Sequence, residues 1–436
     1  MRTPKIPTLV LALSAACVIS ATPSAAQTAG PEVSGQVRAL AANPAVQEAF
    51  RRVEALDAWG VERLVELTQI PAPQFGEGPR AARYAQLLKE AGADSVWTDE
   101  VGNVLALRKG RRGDRTVVLG GHLDTVFPEG TDVTVRMVGD TLFAPGIGDD
   151  TRGLVVVLVT LRAMEEAGVE TDDDILFVGT VGEEGLGDLR GIKHIFREGA
   201  DPVDAWIEVD GGGLGGIVSM GLGSYRFRVT FKGPGGHSWG AFGLVNPAHA
   251  LGRGIHHFQD AADTLTRSGP RTSYNMGVIG GGTSINSIPF EAWAEVDMRS
   301  EGGAASLDRV EAALRSAMQR AAEEENALRR RGEPLTVEVA KIGMRPSGEM
   351  DPQAPLVLRA IAANEFFGAD GDLSRSSTNS NIPIALGVPA VTIGRGGVGG
   401  ENHSPTEWWI NRDGHLAIQR ALLLVVAEAK LAALVP

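Results

Sequence analysis

Five short stretches of this 436-residue chain each follow an apolar run and carry residues that can bind a metal ion. They are GGHLDTV from Gly120, GIGDDTRG from Gly146, VGEEGLGD from Val181, IEVDGGG from Ile207 and ENHSPTEW from Glu401. Zinc takes imidazole nitrogen and carboxylate oxygen, and catalytic zinc sites leave one position for water. The donors divide into two sets, His122 with Asp210 and Glu184 with His403, each completed by a shared Asp150. Three carboxylates against two divalent ions leave one positive charge, which a bridging hydroxide would neutralise. The count therefore points to two zinc ions and an activated water, with cobalt or manganese able to use the same donors.

Two acids near these donors have other expected roles. Asp124 stands two residues after His122, too close to be an ordinary second ligand of the same ion. It is expected to accept the imidazole N–H, which fixes the tautomer and raises the ring's basicity. Glu183 and Glu184 are adjacent on a turn, so their side chains point in different directions: Glu184 can bind metal while Glu183 stays free as general acid/base. A single histidine beside a strand is more often structural, and His194, His249, His256, His257 and His415 have no supporting context.

The elements that must position these residues alternate short apolar runs with longer amphipathic ones. Thr116 to Leu119, Ile175 to Val178, Ala205 to Val209 and Ala390 to Ile393 read as strands buried on both faces, which predicts a mostly parallel sheet covered by helices. Segment 31 to 70 reads as helical up to Pro71. The run LVVVLVTLRAM, within 153 to 168, suits a buried helix by its length and charged tail, and 413 to 434 closes the chain as a helix. In such sheets ligands bind beyond the carboxyl ends of the strands, where distant residues converge.

Between 222 and 343 the texture changes. Tyr225, Phe227, Val229 and Phe231 alternate with Arg226, Arg228, Thr230 and Lys232, a strand with one wet face. The order strand, helix, strand, helix, strand predicts a small α+β sandwich inserted between catalytic segments 36–221 and 344–436.

The first 26 residues place Arg2 and Lys5 before an apolar run, with Ser24 and Ala26 at cleavage spacing, the pattern of a secretory leader. A periplasmic or secreted protein is expected, with a lipid anchor at Cys17 the alternative. Cys17 is the only cysteine, so cysteine catalysis and thiolate ligation are excluded in the processed chain. The formal net charge of −13 becomes −15 when Arg2 and Lys5 are removed (−13 minus 2). With no basic stripe, that balance argues against nucleic-acid binding, and no later run reads as a membrane span.

These motifs closely resemble the M20 family of dinuclear zinc exopeptidases and deacylases, which includes peptidase T and glutamate carboxypeptidases. The likeness runs over roughly residues 55 to 430. It implies a zinc-exopeptidase α/β catalytic domain and a lid domain that dimerises. It makes His122, Asp150, Glu184, Asp210 and His403 the ligands, with Asp150 favoured over Asp149 because it lies two before a basic residue and glycine in the family's spacing. It makes Glu183 the base and Asp124 the orienting carboxylate. His237 in GGHSWG would reach a partner subunit's active site and stabilise the oxyanion. Asn286, Arg299 and Arg345 match positions on the substrate side. Arg152 stands where the family usually has Lys, and Asn379, where it often has Asp, is expected at the substrate's end. The implied activity is exopeptidase cleavage of small peptides, with deacylation of acylated amino acids as the alternative and a non-catalytic binding homologue as a remote one.

Overall fold

Val117 and Leu119 face one way from the strand Thr116–His122 and Val118 faces the other, into separate apolar clusters. Successive side chains of a strand point to opposite faces, so a strand covered on both sides is apolar at every position. The computed structural model describes residues 27–432; the expected leader at 1–26 lies outside them. Thr116–His122 pairs in parallel with Asp174–Thr180 on one side and Ala205–Val209 on the other, and Ala390–Ile393 continues the parallel run. Outside these four strands the pairing turns antiparallel, through Val104–Arg108 and Ser95–Thr98 at one edge and Ile217–Gly221 at the other, and Leu373–Ser376 pairs in parallel with Ile217–Gly221.

One face of the sheet is covered by helices including Thr151–Glu166, Pro355–Phe366 and Gly414–Glu428, the other by the short helices Arg190–Ile195 and Asn381–Ala385. The ambiguous run after Gly153 is a helix with nearly every residue buried. Segment 31 to 70 is not continuous. It is three helices, Gly30–Ala41, Pro44–Ala55 and Asp57–Thr68. The first break comes at Asn43, whose side chain accepts from Ala45 N at 2.9 Å, followed by Pro44, which cannot extend the preceding helix, and the second at Leu56.

A second core fills the inserted α+β sandwich. Tyr225, Phe227, Val229 and Phe231 of Gly223–Lys232 pack against Pro247–Thr266 and Gly303–Ala327, while Arg226 and Arg228 lie on the uncovered face. The flanking strands are Glu291–Ser300 and Thr336–Arg345. The sandwich has a fourth strand that the sequence reading lacks, Thr272–Gly281, paired outside Glu291–Ser300. As an edge strand it is largely exposed and carries Gly277, Gly280 and Gly281, so no clear alternation marks it.

A small sheet also went unforeseen because its strands have three residues each. Arg136–Val138, Thr141–Phe143, Trp408–Ile410 and Val398–Gly400 join in that order. It ties the segment before Asp149 to the segment that carries His403.

Candidate metal centre

The five motifs meet at the carboxyl ends of the parallel strands. His122 ends its strand, Glu183 and Glu184 follow Asp174–Thr180, and Asp210 follows Ala205–Val209. Asp149 lies two residues before the helix Thr151–Glu166, and His403 lies on the loop between Val398–Gly400 and Trp408–Ile410. Ligand atoms of His122, Asp149 and Glu184 all fall within 4.8 Å of one another. His403 Nε2 is 2.8 Å from Glu184 Oε1 and 3.3 Å from Asp149 Oδ2, while His122 Nε2 is 3.3 Å from Asp149 Oδ1. His403 has φ +63°, a left-handed backbone that costs energy for a non-glycine residue and tends to persist at functional sites.

The donor chemistry fits a cation. His122 Nδ1 faces the carbonyl oxygen of Asp124 at 3.0 Å and must donate to it, so Nε2 is the nitrogen left for an ion; that atom is buried without a hydrogen-bond partner. Asp149, Glu184 and Asp210 gather negative charge around it. Burial alone would lower the pKa of His122, but the carboxylates of Asp124, Asp149 and Asp150 outweigh it and hold the value well above the ordinary one. Hydrogen bonding to Asp149 and Glu184 raises His403 to about 10. Burial raises Asp210 to about 6, with Asp149 adding to the effect. Both imidazoles are thus drawn toward positive charge by the same acids, the demand a divalent ion would satisfy.

The carboxylate shared between the histidines belongs to Asp149, and the assignment of Asp150 as the bridge is corrected. Asp150 caps the helix: Oδ1 accepts from Gly153 N at 3.1 Å and Oδ2 accepts from His122 N at 3.1 Å. Both oxygens are spent on backbone, and the residue is fully buried. A side chain on Gly153 or Gly121 would collide with that carboxylate, so the glycines of both motifs leave room for it. Family spacing was misleading here. An aspartate directly before a long apolar helix is itself a capping signal that could have separated the pair.

Asp124 acts on more than the imidazole. Its carboxylate accepts from Glu183 N at 2.9 Å and Glu184 N at 2.8 Å, and it lies 3.6 Å from His122 Nδ1, whose nearer partner is the Asp124 carbonyl. One residue thus sets the ring and the turn carrying both glutamates. Glu183 is buried, and its Oε1 accepts from Arg345 Nη1 at 2.9 Å. Burial pushes its carboxyl up to about 8, Arg345 opposing and Glu184 adding.

Two residues expected on the substrate side are held elsewhere. Arg345 is buried, and it binds the Glu183 side chain and carbonyl and Ser377 Oγ, so its donors serve the glutamate rather than an open surface. Asn379 is fully buried and donates to Thr180 Oγ1 and Glu208 Oε1, each at 2.8 Å, beneath the site. The lid residues form their own groups. Exposed His237 accepts at Nδ1 from Trp239 N and Gly240 N, and Asn286 lies beside it through Ser238 N, which donates to the Asn286 carbonyl at 2.8 Å. Arg299 lies on the uncovered face of the lid sheet with Nε donating to Asp297 at 2.9 Å. Arg152 lies buried over the Trp409 ring and donates to the Gly414 carbonyl, outside the site.

Two contributors were missed. Glu407, inside the fifth motif, is fully buried and accepts from Gly146 N at 2.8 Å and from Gly148 N and Asp149 N at 2.9 Å each. It clamps the loop that presents Asp149. Arg395 places Nη1 3.7 Å from Asp149 Oδ1. The signal for Glu407 was an acid within a ligand-bearing motif, but its partners are backbone groups some 260 residues away, which no local pattern reveals. A cavity of about 680 Å³ opens at the opposite ends of the strands against Trp97, Thr116 and Asp174 and contains none of these residues.

The fold and site together define a mixed α/β sheet with a His/carboxylate centre at the carboxyl ends of its parallel strands, and an inserted α+β sandwich with its own core. The chain belongs to Peptidase family M20/M25/M40, whose pattern matches residues 118–427. It is 26% identical over 237 residues to succinyl-diaminopimelate desuccinylase of Corynebacterium glutamicum, covering 53% of this chain and 64% of that one. It is 27% identical over 207 residues to carboxypeptidase G2 of a Pseudomonas species, covering 45% and 47%. The chain therefore spans only about half to two thirds of the length of these relatives. A tripeptidase from Staphylococcus aureus shares the fold with a TM-score of 0.67 at 21% identity, over 85% of this chain and 98% of that one. A di-peptidase from Saccharomyces cerevisiae does so with a TM-score of 0.66 at 16% identity, over 88% and 98%.

Proposed function

We propose that this chain is an exported, two-zinc hydrolase that cleaves amide bonds of small peptides, with His122, Asp149, Glu184, Asp210 and His403 holding the ions. The observation that carries this is the placement of Asp149 between the two imidazoles, with Glu183 buried alongside its neighbour Glu184. Bound there, the ions would polarise the amide carbonyl and acidify a water. Arg345 holds Oε1 of Glu183, leaving Oε2 to take the proton of the attacking water and return it to the leaving nitrogen. The Asp124 carbonyl takes the Nδ1 proton of His122, which leaves Nε2 as the nitrogen that would bind an ion, and its carboxylate fixes the turn of the glutamates. The names of the relatives span peptide and acyl-amino-acid hydrolysis, and deacylation is the second reading.

A panel of dipeptides, tripeptides and N-acyl amino acids tests this. Hydrolysis of at least one is expected, lost after chelation and restored by zinc. Failure of the zinc-loaded protein on every amide would remove the reading.

The proposal extends to a homodimer in which His237 of one subunit donates from Nε2 to the oxyanion in the other. Exposed Trp239, Phe242, Ile285 and Phe290 surround His237 and Asn286 and supply apolar surface for a second copy. Loss of an oxyanion donor costs about 100- to 1,000-fold in rate. His237→Ala is expected to lower kcat on that scale with metal content intact. A fully active protein that sediments as a monomer would remove His237 from the reaction.

A further inference from the structure

Arg395 follows the buried strand Ala390–Ile393, and its backbone N–H donates to the Gly212 carbonyl at 3.1 Å. Its side chain is only 5% exposed. A side chain on Gly148 would meet Glu407 Oε1 at 2.9 Å and Arg395 Nη2 at 3.2 Å, so this glycine leaves room for two opposite charges beside the loop that presents Asp149. The two are used differently. Glu407 is satisfied by three backbone N–H groups. The Arg395 guanidinium makes no hydrogen bond among the described residues, and its one ionic partner there is Asp149, with Nη1 3.7 Å from Oδ1. That separation is too long for a hydrogen bond and short enough for a strong charge interaction. A guanidinium keeps its charge when buried.

The two oxygens of Asp149 therefore have unlike neighbours. Oδ1 faces His122 Nε2 at 3.3 Å and the Arg395 cation, while Oδ2 faces His403 Nε2 at 3.3 Å and the neutral Asn402 Nδ2 at 3.3 Å. The carboxylates of Asp210 and Glu407 repel that of Asp149. Arg345, the other guanidinium at the centre, is engaged by Glu183. Without ions, Arg395 is the fixed positive charge that opposes this repulsion. With ions bound, it is an added cation beside a ligand they share.

We propose that Arg395 is a positioning residue that supplies part of an ion's charge in the metal-free protein, holding Asp149 toward the imidazoles, and that the same charge weakens the hold on zinc. The effect falls on the His122 side of the centre, where Arg395 and the ion face the same oxygen. The inference rests on the two-zinc reading above and concerns how the chain prepares for the metal, not the reaction. It requires effects of opposite sign when the charge is removed: a less stable metal-free protein and a tighter grip on zinc. A side chain that merely packs or orients Asp149 would lower both.

Arg395→Gln removes the charge, Arg395→Met does so with an apolar side chain, and Arg395→Lys keeps it. Thermal melts of the chelator-stripped proteins and competition for zinc against a chelating indicator dye read the two effects without turnover. Arg395→Gln is expected to melt below the native protein when stripped, yet to bind its weaker zinc at least about 10-fold more tightly, the lower end for a charge within a few ångströms of an ionic site. Its midpoint should also rise further on adding zinc than the native midpoint does. Arg395→Lys should stay close to the native affinity. Arg395→Met repeats the comparison, so the sign does not depend on one substitution folding well. Zinc held no more tightly by either uncharged variant, or tightened equally by Arg395→Lys, would overturn the proposal while leaving the two-zinc reading in place. A native protein that binds no zinc would remove both.

Discussion

Glu183→Gln is expected to lower kcat by about 100- to 10,000-fold, the range for a lost general acid/base, while the protein keeps its full metal content. Glutamine preserves the volume of the side chain and a carbonyl oxygen for Arg345, but it cannot take a proton from water. The choice of variant matters. Arg345 and Glu183 form a buried pair at 2.9 Å, each side chain about 95% shielded. Removing one partner of such a pair typically costs about 3–5 kcal/mol, so Glu183→Ala would confound lost chemistry with lost stability. The companion variant Glu184→Gln should lose metal as well as activity, because Glu184 Oε1 is the atom nearest His403. Metal analysis by mass spectrometry beside kcat separates the two glutamates. Metal loss in Glu183→Gln with retention in Glu184→Gln would mean that their roles are exchanged.

The second large effect distinguishes the adjacent aspartates. Asp149→Asn is expected to strip the centre of metal, with affinity falling by more than the roughly 10- to 100-fold typical for loss of an outer partner. The reason is that its two oxygens face the two imidazoles at 3.3 Å each. Asp150→Asn should instead bind metal and melt at lower temperature. Its amide oxygen can accept one of the two backbone bonds, but its NH₂ would face the N–H of either His122 or Gly153, leaving a buried donor unsatisfied at a cost of about 1–3 kcal/mol. Metal titration and thermal melts of both variants check this. An Asp150→Asn protein that loses metal while Asp149→Asn keeps it would return the bridge to Asp150.

The fold was legible where local pattern and global burial agree. Val117, Val118 and Leu119 read as a doubly covered strand because both faces meet helices, and Tyr225 to Phe231 alternate because only one face does. The edge strand Thr272–Gly281 and the three-residue strands of the small sheet escaped. Their stability comes from pairing with distant segments, and their side chains carry no burial pattern.

In the site, residue type and placement after apolar runs were enough to single out His122, Glu184 and His403, because a sheet with parallel central strands brings strand ends together wherever they lie in the chain. Which neighbour faces the centre was not encoded that way. Asp149 and Asp150 have the same chemistry, and the start of a helix turns one inward and spends the other on backbone N–H groups. The same holds for Arg345, whose partner is 162 residues away, and for Glu407, which clamps Gly146 to Asp149 from the far end of the chain. The sequence by itself determined the kinds of donor and the sheet that gathers them, since both follow from side-chain chemistry and periodicity. Only the tertiary structure decided which carboxylate is shared and what restrains Glu183, because each depends on direction, and direction is set by contacts between segments far apart in the chain.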